Sequence, residues 1–255
     1  MRITVNGIDQ CWEEHGEGEP LLWLHGGLGC GDDWRYVLTD VPSGFRLIAP
    51  DLRGHGSSTN PADIFTFRQV ALDILALLRH LGISRLKAIG LSGGGIVLLH
   101  MATIAPSVLE SMVVISAPPR FPEQARRVQR SFSPASLSDA DLQRMRERHV
   151  HGEAQIAQLF HMVRRFADDE DDVNFTRDML STISAETLIV FGDRDVLYPV
   201  SLAFELHDAI PKSYLWVVPN GGHGPVFGAA AAAFAATALP FLRGRWLRAQ
   251  GDQGV

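Results

Sequence analysis

The chain has 255 residues, a formal net charge of −6, 46% hydrophobic residues and 20% charged ones. That balance is typical of a globular chain able to bury one sizeable core, and its negative sign argues against a nucleic-acid surface. Two cysteines, Cys11 and Cys30, are too few for a disulfide framework. The start lacks an apolar export segment, and the longest apolar stretch, 228–239, is too short to cross a bilayer, so a cytoplasmic protein without a membrane span is expected.

Residues 2–5 and 10–14 read as two strands joined by the turn Asn6-Gly7. Residues 21–24 form a short apolar strand that runs into His25-Gly26-Gly27-Leu28-Gly29, and Asp32 stands where it would cap a helix through Leu38. The apolar strand 45–49 ends in the turn-rich loop 50–58. The segment 67–81 places Val70, Ile74, Leu77, Leu78 and Leu81 on one helical face and stops at Gly82. Residues 86–91 are an apolar strand, a helical pattern begins at Gly93, and 112–115 is again a buried strand. Strands alternating with helices imply a mostly parallel sheet with right-handed crossovers.

Residues 118–181 break this alternation with prolines at 118, 119, 122 and 134, many arginines, and helical patterns only, as at 142–148 and 154–166. They are expected to form a helical cap inserted after the sixth strand, with 1–117 and 182–245 as the core. The charges, including the acidic run Asp168-Asp169-Glu170-Asp171-Asp172, read as solvated helix faces. Met145, Phe160, Met162 and Phe166 either line a pocket or form the seam that holds the cap together; Leu197 from the core is a further lining candidate. His149, His151, Glu153 and His161 lack the spacing of a metal-ligand set and read as exposed cap histidines, so no metal is expected. The sheet resumes at 187–191, a helix covers 200–210, the last strand is 214–218, and an alanine-rich helix precedes a tail at 246–255.

The most informative stretch is Gly90-Leu91-Ser92-Gly93-Gly94, between a strand and a helix. A strand that turns at once into a helix strains its turn residue and leaves no room for side chains two positions either side. The turn pushes the Ser92 hydroxyl out at the carboxyl end of the sheet, where the helix aims its free N–H groups. A serine hydroxyl needs an imidazole to take its proton, and the imidazole needs an acid to set its tautomer. Asp193, Asp195 and His223 follow later strands and meet those needs by type and order.

Taken with His25-Gly26-Gly27, Asp51-Leu-Arg-Gly-His-Gly-Ser-Ser58, Gly192-Asp-Arg-Asp-Val-Leu-Tyr-Pro199 and Gly222-His223, the chain resembles the α/β-hydrolase superfamily from about residue 10 to 242. The resemblance implies a mostly parallel eight-stranded sheet flanked by helices. It implies Ser92 as nucleophile, His223 as base and Asp195, in preference to Asp193, as the acid. Oxyanion donors would come from Gly93 and from Gly27 or its neighbour Leu28. His25 is expected to hold the oxyanion loop, and His55 to be structural. The expected activity is cofactor-free hydrolysis of a small, partly apolar ester or lactone through an acyl-enzyme. Two other readings remain: a carbon–carbon bond hydrolase, which would want a cation such as Arg120 or Arg164 in its pocket, and a receptor-like fold that binds a ligand with incidental turnover. The sequence leaves monomer and homodimer equally open.

Overall fold

The computed structural model describes residues 1–246. The tail expected at 246–255 therefore lies outside the described residues, apart from Trp246, whose ring packs edge-on against Phe241. Eight strands form one sheet: β1 Arg2–Val5, β2 Ile8–His15, β3 Glu19–Leu24, β4 Phe45–Pro50, β5 Leu86–Leu91, β6 Leu109–Ile115, β7 Glu186–Gly192 and β8 Ser213–Val218. Their order is β1-β2-β4-β3-β5-β6-β7-β8. Only β2 runs against its neighbours; every pairing from β4 to β8 is parallel.

Period-two alternation gives the sheet two apolar faces. Leu22 and Leu24 of β3, Met112 and Val114 of β6 and Phe191 of β7 face one core, shared with helices α1 (Phe67–His80), α2 (Gly93–Ile104) and a later helix, Ser201–Ala209. Leu21 and Trp23, Val113 and Ile115, and Val190 face the other, with the final helix Ala231–Leu242. The α1 face read from the sequence is the buried one: Val70, Ile74 and Leu77 are all fully buried. Thr66 caps α1, accepting from the Gln69 N–H at 3.0 Å.

Residues 31–36 differ from expectation. They form a short 3₁₀ helix beginning after Cys30, so Asp32 lies inside its first turn and is not its cap. The Asp33 carboxylate instead reaches back to the Cys30 N–H at 3.2 Å.

The insertion after β6 is helical: α3 Glu123–Ser131, α4 Asp139–Arg148, α5 Glu153–Arg165 and the short α6 Arg177–Ser181. Its ends are tied together by a bridge between Arg120 and Asn174 and by the Phe175 N–H donating to the Pro119 carbonyl at 2.9 Å. Leu180 of α6 is buried in the core shared with α2 and the helix Ser201–Ala209, which is α7, so α6 packs as part of the core although the expected cap boundary included it. The acidic run is also not simply a solvated face. Asp172 accepts from the N–H groups of Phe67 and Arg68, neutralising orphan donors at the start of α1 and pinning cap to core. Burial pushes the Asp172 carboxyl up in pKa, and those two N–H bonds pull against it.

Candidate active site

Ser92 occupies the turn between β5 and α2 with φ +51° and ψ −114°, a conformation that an L-residue adopts only under constraint. The constraint is visible. The Ser92 N–H donates to Ile115 of β6 at 2.7 Å, and its carbonyl accepts from Ile96 at 3.0 Å. A Cβ on Gly94 would sit 2.2 Å from the Leu24 carbonyl oxygen, and one on Gly90 would sit 2.6 Å from that of Gly94. The helix start is thus pressed onto the end of β3, which explains Gly94, and onto the end of β5, which explains Gly90.

The loops after β7 and β8 bring two further side chains to this turn. His223 Nε2 lies 2.9 Å from Ser92 Oγ, and His223 Nδ1 lies 2.9 Å from Asp195 Oδ2. Asp195 has a fully buried side chain, and its other oxygen accepts from the Leu197 and Tyr198 N–H groups at 2.8 and 3.1 Å. With the carboxylate so held, Nδ1 carries the proton and Nε2 faces the serine as an acceptor. Asp193, the rival acid, is exposed, and only its backbone joins the loop, through its N–H to Val218. The Tyr198 ring meets the His223 ring edge-on, 5.1 Å between centroids, and so limits its swing.

Residues 26–29 form a tight turn closed by the Gly29 N–H on the Gly26 carbonyl at 3.2 Å, with Leu28 at φ +64°. Such a turn leaves the N–H groups of its two central residues, Gly27 and Leu28, free of the turn's own bonding. The Gly27 nitrogen lies 3.5 Å from the position of a Cβ on Gly93, so the two backbones approach beside Ser92. His25 holds the turn from beneath: Nδ1–H donates to Gly26 at 2.7 Å, and Nε2 accepts from Leu52 N–H at 3.0 Å. Complete burial pushes its pKa down to about 3, so it is neutral, as this bonding requires.

One residue that holds the turn escapes sequence reasoning. His149, expected to be exposed, is fully buried at the end of α4. Its Nδ1 accepts from Gly56 N–H at 2.9 Å, and its Nε2–H donates to the Leu28 carbonyl at 3.1 Å. Its neighbour Arg148 pairs with Asp33 at 3.2 Å. The cap thereby grips the loop that carries Gly27 and Leu28. Burial lowers the pKa of His149, and the Arg148 charge lowers it further. No motif signals this contact, which joins residues 121 positions apart. Cys30 is no nucleophile here: burial pushes its thiol up to about 12, and the nearby Asp33 and Asp51 carboxylates push the same way.

A cavity of about 800 Å³, counting its open mouth, lies between this machinery and the cap. Gly27, Leu28, Gly93, Ser92 and His223 line its floor; Met162, Phe166 and Leu197 line its walls. Phe160 does not. It is 2% exposed within the cap's own cluster and stacks on Phe132 at 5.4 Å, so it belongs to the seam, as does Met145. The aromatic lining that sequence reasoning missed comes from Phe65, Phe67 and Phe121, which cluster on Phe166. Neither arginine proposed for the pocket reaches it: Arg120 pairs with Glu205, and Arg164 binds the Phe132 carbonyl at 3.2 Å. Among the described residues no group of three or more His, Cys, Asp or Glu side chains could hold a metal ion, and no helix is long and apolar enough to cross a membrane.

The comparisons agree with this architecture. The family model for the alpha/beta hydrolase fold matches residues 19–139. The serine hydrolase BPHL of Mus musculus is 30% identical over 241 residues, covering 87% of this chain and 79% of its own length. The putative carbamate hydrolase RutD of Pseudomonas syringae pv. syringae (strain B728a) is 31% identical over 228 residues, covering 80% and 86%. Among solved structures, the enol-lactonase from Burkholderia xenovorans LB400 superposes with a TM-score of 0.78 at 21% identity, covering 95% of this chain and all of its own. The chain belongs to the α/β-hydrolase superfamily. It is a hydrolase of the capped kind, with its cap inserted between β6 and β7.

Proposed function

We propose that the protein is a serine hydrolase of carboxylic esters or lactones with small, uncharged, mostly apolar substrates. The observation that carries this is the unbroken hydrogen-bond line from Asp195 through His223 to Ser92, opening onto an apolar cavity. Ser92 Oγ attacks the acyl carbon as His223 Nε2 takes its proton. Asp195 stabilises the imidazolium. The N–H groups of Gly27 and Gly93, with Leu28 as the alternative to Gly27, receive the oxyanion, each such donor being worth about 2.7–4 kcal/mol. His223 then protonates the leaving alkoxide, and the acyl-enzyme is hydrolysed by water that His223 activates. No step calls for a metal or an organic cofactor.

Among the described residues, no Lys, Arg, Asp or Glu side chain lines the cavity, which favours this over a carbon–carbon bond hydrolase acting on a carboxylate-bearing diketone, which would need a cation there. Purified protein should hydrolyse 4-nitrophenyl butyrate with full rate in chelator, and Ser92→Ala should remove the activity. Unchanged turnover in that variant would refute the reading. Thermal stabilisation by a ligand without product, in wild type, would favour the receptor-like reading instead.

A further inference from the structure

The turn that carries Gly27 and Leu28 sits in a conformation its own sequence does not favour. Leu28 has φ +64°, a left-handed position that suits glycine and that a branched side chain holds only when its surroundings impose it. The core imposes half of it. His25 Nδ1–H and Gly29 N–H both donate to the Gly26 carbonyl, at 2.7 and 3.2 Å, and fix the first peptide of the turn. The other half comes from the cap. His149 Nε2–H donates to the Leu28 carbonyl at 3.1 Å, and the Leu28 side chain packs against the cap's own apolar cluster. The Leu28–Gly29 peptide is thus held at both ends, by Gly26 on its N–H and by His149 on its carbonyl. His149 is itself aimed by the Gly56 N–H, which donates to its Nδ1 at 2.9 Å. Arg148 beside it pairs with Asp33, whose carboxylate accepts from the Cys30 N–H just past the turn.

We propose that His149 is a positioning residue for the reaction, clamping the oxyanion turn from the cap while His25 clamps it from the core. The triad is built wholly from the loops after β5, β7 and β8, but the oxyanion hole is complete only when α4 is docked. The inference rests on the hydrolase reading above and assigns the cap a part in transition-state stabilisation, beyond shaping the cavity. Donors stabilise an oxyanion only when held at hydrogen-bond distance from where it forms, so a turn free to relax loses part of their effect.

Two substitutions separate the two bonds of the imidazole. His149→Asn places an oxygen where Nδ1 stood, keeping the Gly56 bond and losing the one to Leu28. His149→Gln places an NH₂ where Nε2 stood, keeping the Leu28 bond and losing the one to Gly56. With 4-nitrophenyl butyrate, His149→Asn should lower kcat by about 10–100-fold with KM within about threefold, part of the 10²–10³ that loss of a whole donor brings. His149→Gln should keep kcat within about threefold of wild type, whatever its melting temperature. A smaller loss of kcat in the Asn variant would overturn the proposal. So would an equal loss in both variants, or an Asn variant that does not fold, either of which marks a purely structural role. If wild type hydrolyses no ester, crystal structures of the variants decide. Leu28 leaving the left-handed region in the Asn variant but not in the Gln variant would sink the hydrolase reading alone and leave the clamp standing; a Leu28 that stays in place in the Asn variant would sink both.

Discussion

Asp195→Asn isolates what the carboxylate does. The substitution is isosteric, and the N–H groups of Leu197 and Tyr198, at 2.8 and 3.1 Å, decide how the amide sits. With its oxygen toward them it keeps both bonds, and its NH₂ faces His223 Nδ1. That nitrogen must then be an acceptor, the proton moves to Nε2, and Nε2 can no longer take the proton of Ser92. Turning the amide over restores the tautomer but sets its NH₂ against two backbone donors, at a cost of about 2–4 kcal/mol. Losing the carboxylate beside the imidazolium adds about 1.5–3 kcal/mol. The sum, about 4–7 kcal/mol, lowers kcat by about 10³–10⁵-fold at 1.36 kcal/mol per decade. The assay is steady-state hydrolysis of 4-nitrophenyl butyrate, with thermal melting to show that the fold survives. Asp193→Asn, at the exposed rival, should leave kcat within about twofold, since a surface substitution changes little. An Asp195→Asn enzyme that keeps more than a tenth of its kcat, or an Asp193→Asn enzyme as damaged, would refute the assignment.

Three further outcomes follow from the packing. Gly94→Ala should cost about 100-fold in activity or prevent soluble expression, because the new methyl would lie 2.2 Å from the Leu24 carbonyl oxygen and must displace the Ser92 turn; Gly222→Ala, which meets nothing within 4 Å, should melt like wild type. Asp73→Ala should lower stability by about 3–5 kcal/mol by stranding Arg53, and a calorimetric melting point less than 3 °C below wild type would contradict this; the pair is almost wholly buried and two-pronged, at 2.7 and 3.0 Å. Acid should destabilise the fold from about pH 6.5 downward, before the carboxylates titrate. Burial, first among the causes, lowers the pKa of His25 to about 3 and of His100 to about 4, and also lowers those of His55 and His149. His25 and His100 stay neutral when folded and take up a proton when unfolded. Stability is therefore lost as pH falls through the unfolded value, by about 1.4 kcal/mol for each of these two between pH 7.5 and 5.5, and His55 and His149 act in the same direction. Asp33, Asp51 and Asp172, raised by burial, work the opposite way at lower pH. Urea midpoints that do not move between pH 7.5 and 5.5 would count against it.

Much of this molecule is legible in the chain itself, because the relevant signals are local. Short, nearly continuous apolar runs mark β3 to β8, and a 3.6-residue period marks α1. The serine turn announces itself because the crowding that demands Gly90 and Gly94 arises within a few residues of Ser92, together with the end of β3. The order Ser92, Asp195, His223 is also visible, since each follows its own strand. What the sequence could not show depends on contacts between distant segments. His149 looks like one more polar residue in a charged helix, and only the docking of α4 on the loops at Leu28 and Gly56 buries it. Phe160 and Phe166 lie on the same helical stretch and look equivalent, yet the turn of the helix sends one into the cap's seam and the other into the cavity. Asp172 reads as part of a solvated acidic run, and becomes a helix cap only when the insertion folds back over α1. Periodicity tells each residue which side of its own element it occupies; what lies on that side is decided by how the elements pack.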